Sequence, residues 1–228
     1  MKLHVFNQIS EQSSAIAKAI AQQLSATLAN QDSAVIAVSG GKSPVPVFEQ
    51  LREMELPWDR VIVTLVDERW VPESDSGSNA ALVRTHLLQG QAASATFIPM
   101  FGSEASASDA ESRLNATFTH LGLPFSVVVL GMGDDGHTAS LFPASPALDA
   151  GLANDAPICL AQVGAVAPTD RMSLTLPAIN QAGKVFLQFA GSAKKAVFDK
   201  ACEAPSKTWP VSFVLCDTAA DVEVFYAE

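Results

Sequence analysis

One stretch, residues 127–143, limits the folds open to this chain more than any other. Four branched aliphatic residues come first, and glycines then alternate with residues that include Asp134, Asp135 and His137. An apolar run of this length bounded by glycine predicts a buried strand. The glycines allow the backbone to turn sharply or to approach a ligand closely. The stretch therefore predicts a strand whose C-terminal end opens into a loop carrying a histidine, a candidate for chemistry.

Three more apolar runs end in glycines or charged residues. The runs are 34–38, 61–66 and 185–190, and they are followed by Ser39-Gly40-Gly41-Lys42, Asp67-Glu68-Arg69 and Gly191-Ser192-Ala193-Lys194. Helical patterns lie between them, and this alternation predicts an α/β fold with a mostly parallel, doubly wound sheet. Because the loops after parallel strands open on the same edge of the sheet, the four loops are expected to converge.

The rest of the chain gives less distinct signals. Apolar residues recur every four positions from Ile16 to Leu28, which predicts an amphipathic helix from residue 10 onward. The run 211–215 is predicted as a strand, and the small and polar residues 145–155 as a mobile surface excursion. A chain of 228 residues fits a single α/β domain, residues 1–228, with a small excursion around 144–169.

Composition excludes several classes of partner. The chain has 14 lysines and arginines against 24 aspartates and glutamates, and its net charge of −10 argues against binding to nucleic acid or to an anionic membrane. Its three cysteines lack the spacing of a disulfide framework or of a zinc site. The N-terminus turns polar before an apolar stretch of signal-peptide length accumulates. We expect a cytoplasmic protein, a monomer or a small homo-oligomer, that uses no metal or cofactor.

Cationic groups and backbone N–H groups in the predicted loops suit a phosphate. Gly40 and Gly41 expose N–H groups after a strand, and Lys42 adds a charge. Arg69 has the planar fork that binds phosphate or carboxylate. Lys194 lies in the first turn of a predicted helix, where its charge opposes the helix dipole unless an anion compensates it. No cluster of cysteines or histidines accompanies these groups, so we predict a metal-free reaction on a phosphorylated small molecule.

Each motif also has a plainer interpretation. Two glycines after a strand are typical of a tight turn, and their spacing is not that of a nucleotide-binding loop. Asp67 is a candidate for a general base, for a hydroxyl acceptor or only for the salt-bridge partner of Arg69. Ser140 is a weak candidate for a nucleophile, because it lacks the G-x-S-x-G elbow and lies in a predicted helical run.

Three motifs of the chain resemble those of 6-phosphogluconolactonases. They are Ser39-Gly40-Gly41-Lys42-Ser43-Pro44, Asp67-Glu68-Arg69-Trp70-Val71-Pro72 with Ser78-Asn79 behind it, and Leu130-Gly131-Met132-Gly133-Asp134-Asp135-Gly136-His137-Thr138-Ala139-Ser140-Leu141-Phe142-Pro143. The wider group includes glucosamine-6-phosphate deaminases and shares a modified Rossmann-like fold. In the deaminase branch the residues after the histidine run toward Phe-Asn-Glu-Pro, so the end of the third motif favours the lactonase. Lys42 departs from the serine or threonine that often follows the two glycines in this family.

The resemblance implies hydrolysis of 6-phospho-D-glucono-1,5-lactone to 6-phosphogluconate in the oxidative pentose phosphate pathway. The catalytic histidine of the family matches His137, and Asp135 or Asp134 would orient it. The phosphate-binding arginine and lysine of the family match Arg69 and Lys194.

Further residues are expected at the same substrate site. Arg171 is an additional candidate for phosphate binding, and Gly40, Gly41, Lys42 and Asp67 would line the site. Two alternatives stay open. One is a sugar-phosphate deaminase or isomerase, in which Asp67 would take a proton from the substrate, and the other is a sugar-phosphate sensor that does not catalyse.

Overall fold

Ten strands form two sheets in the computed structural model, which describes residues 1–122, 124–164, 169–217, 219 and 221–228. In chain order the strands of this described part are β1 (Lys2–Phe6), β2 (Ala34–Val38), β3 (Val61–Leu65), β4 (Asp67–Arg69), β5 (Thr96–Phe97), β6 (Val127–Gly131), β7 (Cys159–Gln162), β8 (Arg171–Leu174), β9 (Val185–Ala190) and β10 (Val222–Ala227). The larger sheet has the order β1-β10-β9-β6-β2-β3-β5, and every neighbouring pair in it is parallel. The predicted α/β fold with a parallel sheet is confirmed.

Helices connect the strands of the larger sheet. They are α1 (Ile9–Leu28), α2 (Val45–Leu51), α3 (Asn79–His86), α4 (Ala107–Leu121), α5 (Leu148–Leu152), α6 (Leu176–Asn180), α7 (Ser192–Ala201) and α8 (Val211–Leu215). All five residues of β2 are buried, as are the first four of β6 and the first five of β9. Because these strands are covered on both faces, their sequences are almost entirely apolar instead of alternating, with Gln188 of β9 as the polar exception. The predicted long N-terminal helix is confirmed as α1, which buries Ile16, Ile20 and Leu24.

The second sheet places a charged segment that the sequence suggested to be a loop. Asp67–Arg69 is a strand, β4, and the small sheet has the antiparallel order β4-β8-β7. The prediction of a loop was wrong because three charged residues carry no strand signal of their own, and this strand exists only through pairing with the distant β8. The small sheet adjoins the end of β3, because β4 follows β3 after one residue and the N–H of Leu174 in β8 donates to the carbonyl of Val66 at 2.8 Å.

Two other predictions of local structure were wrong. Val211–Leu215 is the helix α8, because Pro210, with a φ of −56°, is already helical at its start, and a short apolar run does not by itself distinguish a strand from a buried helix. Within 145–155 the chain forms α5, and Leu148 in it is buried, so this stretch is not only a surface excursion. Residues 165–168 of the predicted excursion lie outside the described residues.

Buried apolar side chains from both sheets belong to one core, which includes Val129 and Leu187 of the parallel sheet and Met172 and Leu174 of the antiparallel one. This shared core supports the proposal that the chain forms one domain. None of the described helices combines the length and the apolar character needed to cross a membrane.

Candidate active site

A cavity of about 240 Å³ opens at the C-terminal edge of the parallel sheet, above the ends of β2, β3, β6 and β9. The predicted site residues that line this cavity are Gly40, Gly41, Lys42, Asp67, Arg69, His137, Arg171 and Lys194. The structure therefore brings the four predicted loops together at one place, as expected for loops that follow parallel strands. The roles of these residues stay predictions.

His137 and Asp135 form a hydrogen-bonded pair in the loop after β6. Oδ1 of Asp135 lies 2.6 Å from Nδ1 of the His137 ring and also accepts the backbone N–H of His137 at 3.1 Å. Asp134 has a different neighbour, because its Oδ1 lies 4.0 Å from Nζ of Lys194. The side chain of Asp134 is also 85% exposed. Of the two aspartates that the sequence left open, the structure places Asp135 beside the histidine. A carboxylate at Nδ1 favours the tautomer in which Nε2 is free to accept a proton.

Gly133 makes room for this pair. A Cβ atom built on Gly133 would lie 2.2 Å from Nδ1 of His137 and 2.6 Å from Oδ1 of Asp135. The backbone of Gly133 also closes the loop, because its N–H donates to the carbonyl of His137 at 2.9 Å and its carbonyl accepts from Gly136 at 3.0 Å. The first of the glycines after β6 is therefore required by close approach of the histidine ring to the backbone.

Two arginines lie side by side on neighbouring strands of the small sheet. In the antiparallel pairing of β4 with β8, Arg69 lies directly opposite Arg171. Like charges at such a position repel each other, so this pairing is unfavourable unless an anion lies between them. Nε of each guanidinium is buried and has no partner among the residues that the structure describes, although Nη1 of Arg69 donates to the carbonyl of Gly77 at 2.6 Å. The free N–H groups suit an anionic oxygen in the cavity.

Phe142 connects the histidine to this arginine pair. Its ring centroid lies 4.2 Å from that of His137, and the Arg171 guanidinium carbon lies 5.3 Å from the same centroid. Burial lowers the pKa of Arg171, while the nearby carboxylate of Asp67 opposes that shift and Arg69 adds to it. An arginine stays protonated in proteins even so. The ring of Phe142 thus lies against both the imidazole of His137 and the guanidinium of Arg171.

Asp67 and Glu68 hold β4 to its surroundings. Asp67 is 7% exposed, and its Oδ2 accepts a hydrogen bond from Oγ of Ser140 at 2.6 Å. Glu68 accepts the backbone N–H groups of Asn79 and Ala80 at the start of α3, each at 2.8 Å. Burial raises the pKa of Glu68 to about 7, although these backbone hydrogen bonds lower it. Since Glu68 is the neighbour of Arg69, its contacts with α3 fix the position of the arginine backbone.

The segment around Ser140 does not have the helical conformation that the sequence predicts. Thr138 and Leu141 form an isolated bridge around it, and Ala139 has a φ of 48°, so the segment is a tight turn and not a helical run. This left-handed conformation is uncommon for alanine. Ser140 is fully buried and its hydroxyl donates to Asp67.

The loop after β2 exposes unpaired backbone donors. Within the described residues, the N–H groups of Gly40, Gly41 and Lys42 donate to no protein acceptor. Gly40 cannot carry a side chain, because a Cβ there would lie 1.8 Å from Oδ1 of Asn79. Nδ2 of Asn79 in turn donates to the carbonyl of Asp67 at 2.8 Å, so Asn79 ties this loop to β4. The helix α2 begins only at Val45, and the loop residues before it, Gly40, Gly41 and Lys42, line the cavity.

Lys194 completes the cationic lining from the other side. It lies in the first turn of α7, as predicted, and its Nζ donates to the carbonyl of Met132 at 2.7 Å. The ammonium group therefore holds the loop after β6 while it lines the cavity. Of its three N–H donors, at least one is left for a ligand.

Some residues that line the cavity are not among the predicted site residues. Ser39 and Asn79 belong to the motifs without a predicted role, and Gln188 of β9 was not predicted. The available signal for Gln188 was a polar residue inside an otherwise apolar strand.

Comparisons with known proteins point to one family. The family model for glucosamine-6-phosphate isomerases and 6-phosphogluconolactonases matches residues 7–224. The 6-phosphogluconolactonase of Pseudomonas aeruginosa is 44% identical over 202 residues, which cover 87% of this chain and 84% of that protein. The crystal structure of a 6-phosphogluconolactonase from Shewanella baltica is 33% identical and superposes with a TM-score of 0.96, covering 100% of this chain and 98% of that one.

The fold is shared more widely than the sequence. A solved monomeric glucosamine-6-phosphate deaminase is only 16% identical, yet it superposes with a TM-score of 0.83 and covers 100% of this chain and 98% of its own. At this identity the likeness concerns the fold alone.

Proposed function

The chain belongs to the glucosamine-6-phosphate isomerase and 6-phosphogluconolactonase family, and we propose that it hydrolyses 6-phospho-D-glucono-1,5-lactone to 6-phosphogluconate. The observation that carries this proposal is the His137–Asp135 pair at the wall of a cavity whose other walls hold Arg69, Arg171 and Lys194. A base and an anion site within one small cavity match a substrate that has a lactone carbonyl and a phosphate. The reaction is the second step of the oxidative pentose phosphate pathway.

His137 acts as both base and acid in this proposal. Its Nδ1–H donates to Asp135, so Nε2 takes a proton from a water molecule as the water oxygen attacks the lactone carbonyl. The tetrahedral intermediate then collapses, the bond between the carbonyl carbon and the ring oxygen breaks, and the imidazolium returns the proton to that ring oxygen. Asp135 stabilises the imidazolium in the interval between the two proton transfers.

The phosphate is the anchor of the substrate. Arg69 and Lys194 bind it, and Arg171 adds a second guanidinium from the opposite strand. Unpaired N–H groups of Gly40 and Gly41 supply further donors of the kind that phosphate oxygens accept. Anchoring at this end brings the carbonyl to His137 in a near-attack position, which lowers the entropic part of the barrier.

A deaminase or isomerase is the main alternative. Asp67 lines the cavity and would serve there as the base that takes a proton from the sugar. Its carboxylate already accepts from Ser140, and Asn79 donates to its backbone carbonyl. These contacts support a role for Asp67 in holding the loops or a substrate hydroxyl. A sensor without catalysis would need the cations but would not need the ordered pair of His137 and Asp135.

A coupled assay distinguishes the three functions. We expect the purified protein to accelerate formation of 6-phosphogluconate from freshly generated lactone, measured with 6-phosphogluconate dehydrogenase and corrected for spontaneous hydrolysis. We expect no release of ammonia from glucosamine 6-phosphate. Ammonia release without lactone hydrolysis would replace the proposal by the deaminase, and binding of 6-phosphogluconate without either reaction would replace it by the sensor.

We also propose that the enzyme acts in the cytoplasm, as a monomer or a small homo-oligomer. Its three cysteines, Cys159, Cys202 and Cys216, are free thiols, as is usual in a reducing compartment.

A further inference from the structure

Buried polar atoms without a protein partner are concentrated at the cavity. In the described part of the chain these atoms are Ser39 Oγ, Arg69 Nε, Gln162 Nε2, Arg171 Nε, Asn180 Oδ1 and Gln188 Nε2, and the cavity is lined by Ser39, Arg69, Arg171 and Gln188. Unpaired polar groups inside proteins are rare and costly, so their concentration at one cavity indicates that a ligand pairs with them. In the proposed function the phosphate of the substrate pairs with the two arginines. Gln188 has no role in the mechanism above.

Gln188 forms part of the floor of the cavity. It is 3% exposed and lies in β9, where its neighbours Leu187 and Phe189 are apolar and buried. In the pairing of β6 with β9, Gln188 lies opposite Gly131, and side chains at paired positions point to the same face of a sheet. A Cβ built on Gly131 would meet no atom within 4 Å. The amide of Gln188 therefore borders an empty volume that lies directly over the end of β6.

The chemistry of this group differs from that of the other cavity walls. Arg69, Arg171 and Lys194 are cations that match the phosphate, whereas the amide is neutral and offers both donors and an acceptor. Rotation about its last torsion exchanges the two ends, so it can donate or accept at the same place. A hydroxyl group also donates and accepts, and the lactone carries several of them.

We propose that Gln188 is a substrate-binding residue that pairs with a hydroxyl group of the sugar chain and so selects polyhydroxylated substrates. This inference rests on the proposed function, because it assigns one more contact to the same substrate. Among the described residues Nε2 of Gln188 has no protein partner, and a substrate hydroxyl supplies one when it binds. A ligand without that hydroxyl leaves the amide buried and unpaired, which is the strongest form of discrimination between polar substrates.

The test compares two ligands and two glutamines. Titration calorimetry measures binding of 6-phosphogluconate and of inorganic phosphate to the wild type and to Gln188→Met, which keeps the length of the side chain but has no N–H donor. The matched control is Gln162→Met, because Gln162 also has a buried Nε2 without a partner, yet it lies outside the cavity and its Oε1 accepts from Ser145.

We expect Gln188→Met to weaken binding of 6-phosphogluconate by about 10-fold or more and to leave binding of phosphate unchanged. Its unfolding temperature should not fall, since the amide has no protein partner to lose. Gln162→Met should bind both ligands like the wild type and unfold at a lower temperature. Gln188→Leu serves as a second apolar variant if the methionine does not fold.

Two results would overturn the inference. Equal weakening of both ligands would place Gln188 at the phosphate, and unchanged binding of both would remove it from the substrate site. Failure of the proposed function is recognised separately, because the wild type would then not hydrolyse the lactone in the coupled assay, whatever the glutamine variants bind.

Discussion

Replacement of His137 by alanine is expected to lower kcat for lactone hydrolysis by about 10²-fold to 10⁴-fold, the usual contribution of one general acid–base residue. The physical reason is that, in the part of the chain that the structure describes, His137 and Asp135 form the one imidazole–carboxylate pair at the cavity. No second pair of this kind is there to take over the proton transfer. KM should change little, because the cations proposed to bind the phosphate lie on other loops. The measurement is the coupled assay with freshly generated lactone, corrected for spontaneous hydrolysis at each pH.

His86→Ala is the matched control for this variant. His86 lies in α3, and its Nδ1 is 3.1 Å from Oε1 of Glu49 instead of a cavity carboxylate. The His86→Ala variant also loses an imidazole, but one that lies away from the cavity, so its kcat should stay within about twofold of the wild type. Turnover of His137→Ala at the wild-type rate would contradict the assignment of the base.

Replacement of Arg69 by alanine is expected to lower kcat/KM by roughly 30-fold to 150-fold, mainly through a higher KM. If this half-buried guanidinium binds the phosphate as proposed, its truncation removes charge-assisted hydrogen bonds worth about 2–3 kcal/mol. The substitution also removes the repulsion between Arg69 and Arg171 on the opposite strand. The free energy of unfolding of the variant should therefore not fall by a comparable amount.

The control for Arg69→Ala uses a second substrate and a second arginine. Hydrolysis of glucono-1,5-lactone, which has no phosphate, should be equally slow with the wild type and the variant. Arg84→Ala should behave like the wild type, because Arg84 pairs with Glu73 at 2.8 Å and its side chain is 49% exposed. If Arg69→Ala hydrolyses the phosphorylated lactone with an unchanged KM, the phosphate does not lie at this arginine.

The architecture was predictable because its signals are local and repeated. Strand β2 is an unbroken apolar run, β6 is one that ends in a glycine, and β9 has one polar residue; a parallel sheet covered on both faces buries such runs. Once the strands are parallel, convergence of Gly40, Arg69, His137 and Lys194 at one edge follows from topology. No side-chain contact is needed for that step, which is why a single sequence was sufficient.

Contacts between distant segments were beyond the sequence. Arg69 and Arg171 become neighbours only because β4 pairs with β8, and the three charged residues of β4 do not predict a strand. The choice between Asp134 and Asp135 depends on the turn closed by Gly133 and Gly136, since adjacent residues in a turn point in different directions. Such details are set by tertiary pairing, and propensity carries no information about them.

Helix α8 shows the limit of periodicity. Five apolar or small residues fit a strand and a buried helical turn equally well. The environment decides between them, because the N–H of Val211 donates to the carbonyl of Gly136 at 2.9 Å and Oγ of Ser212 accepts the N–H of Ser206 at 2.7 Å. The first contact attaches the start of α8 to the loop that carries His137, and the second attaches α8 to the segment that precedes it.

A crystal structure of the protein with 6-phosphogluconate bound would show directly whether the base and the phosphate anchor are two parts of one site. We expect phosphate oxygens within about 3.2 Å of nitrogen atoms of Arg69 and Lys194, and a carboxylate oxygen of the product within about 3.5 Å of Nε2 of His137. Binding in the reverse direction, with the carboxylate at Arg69 and the phosphate at His137, would contradict this expectation.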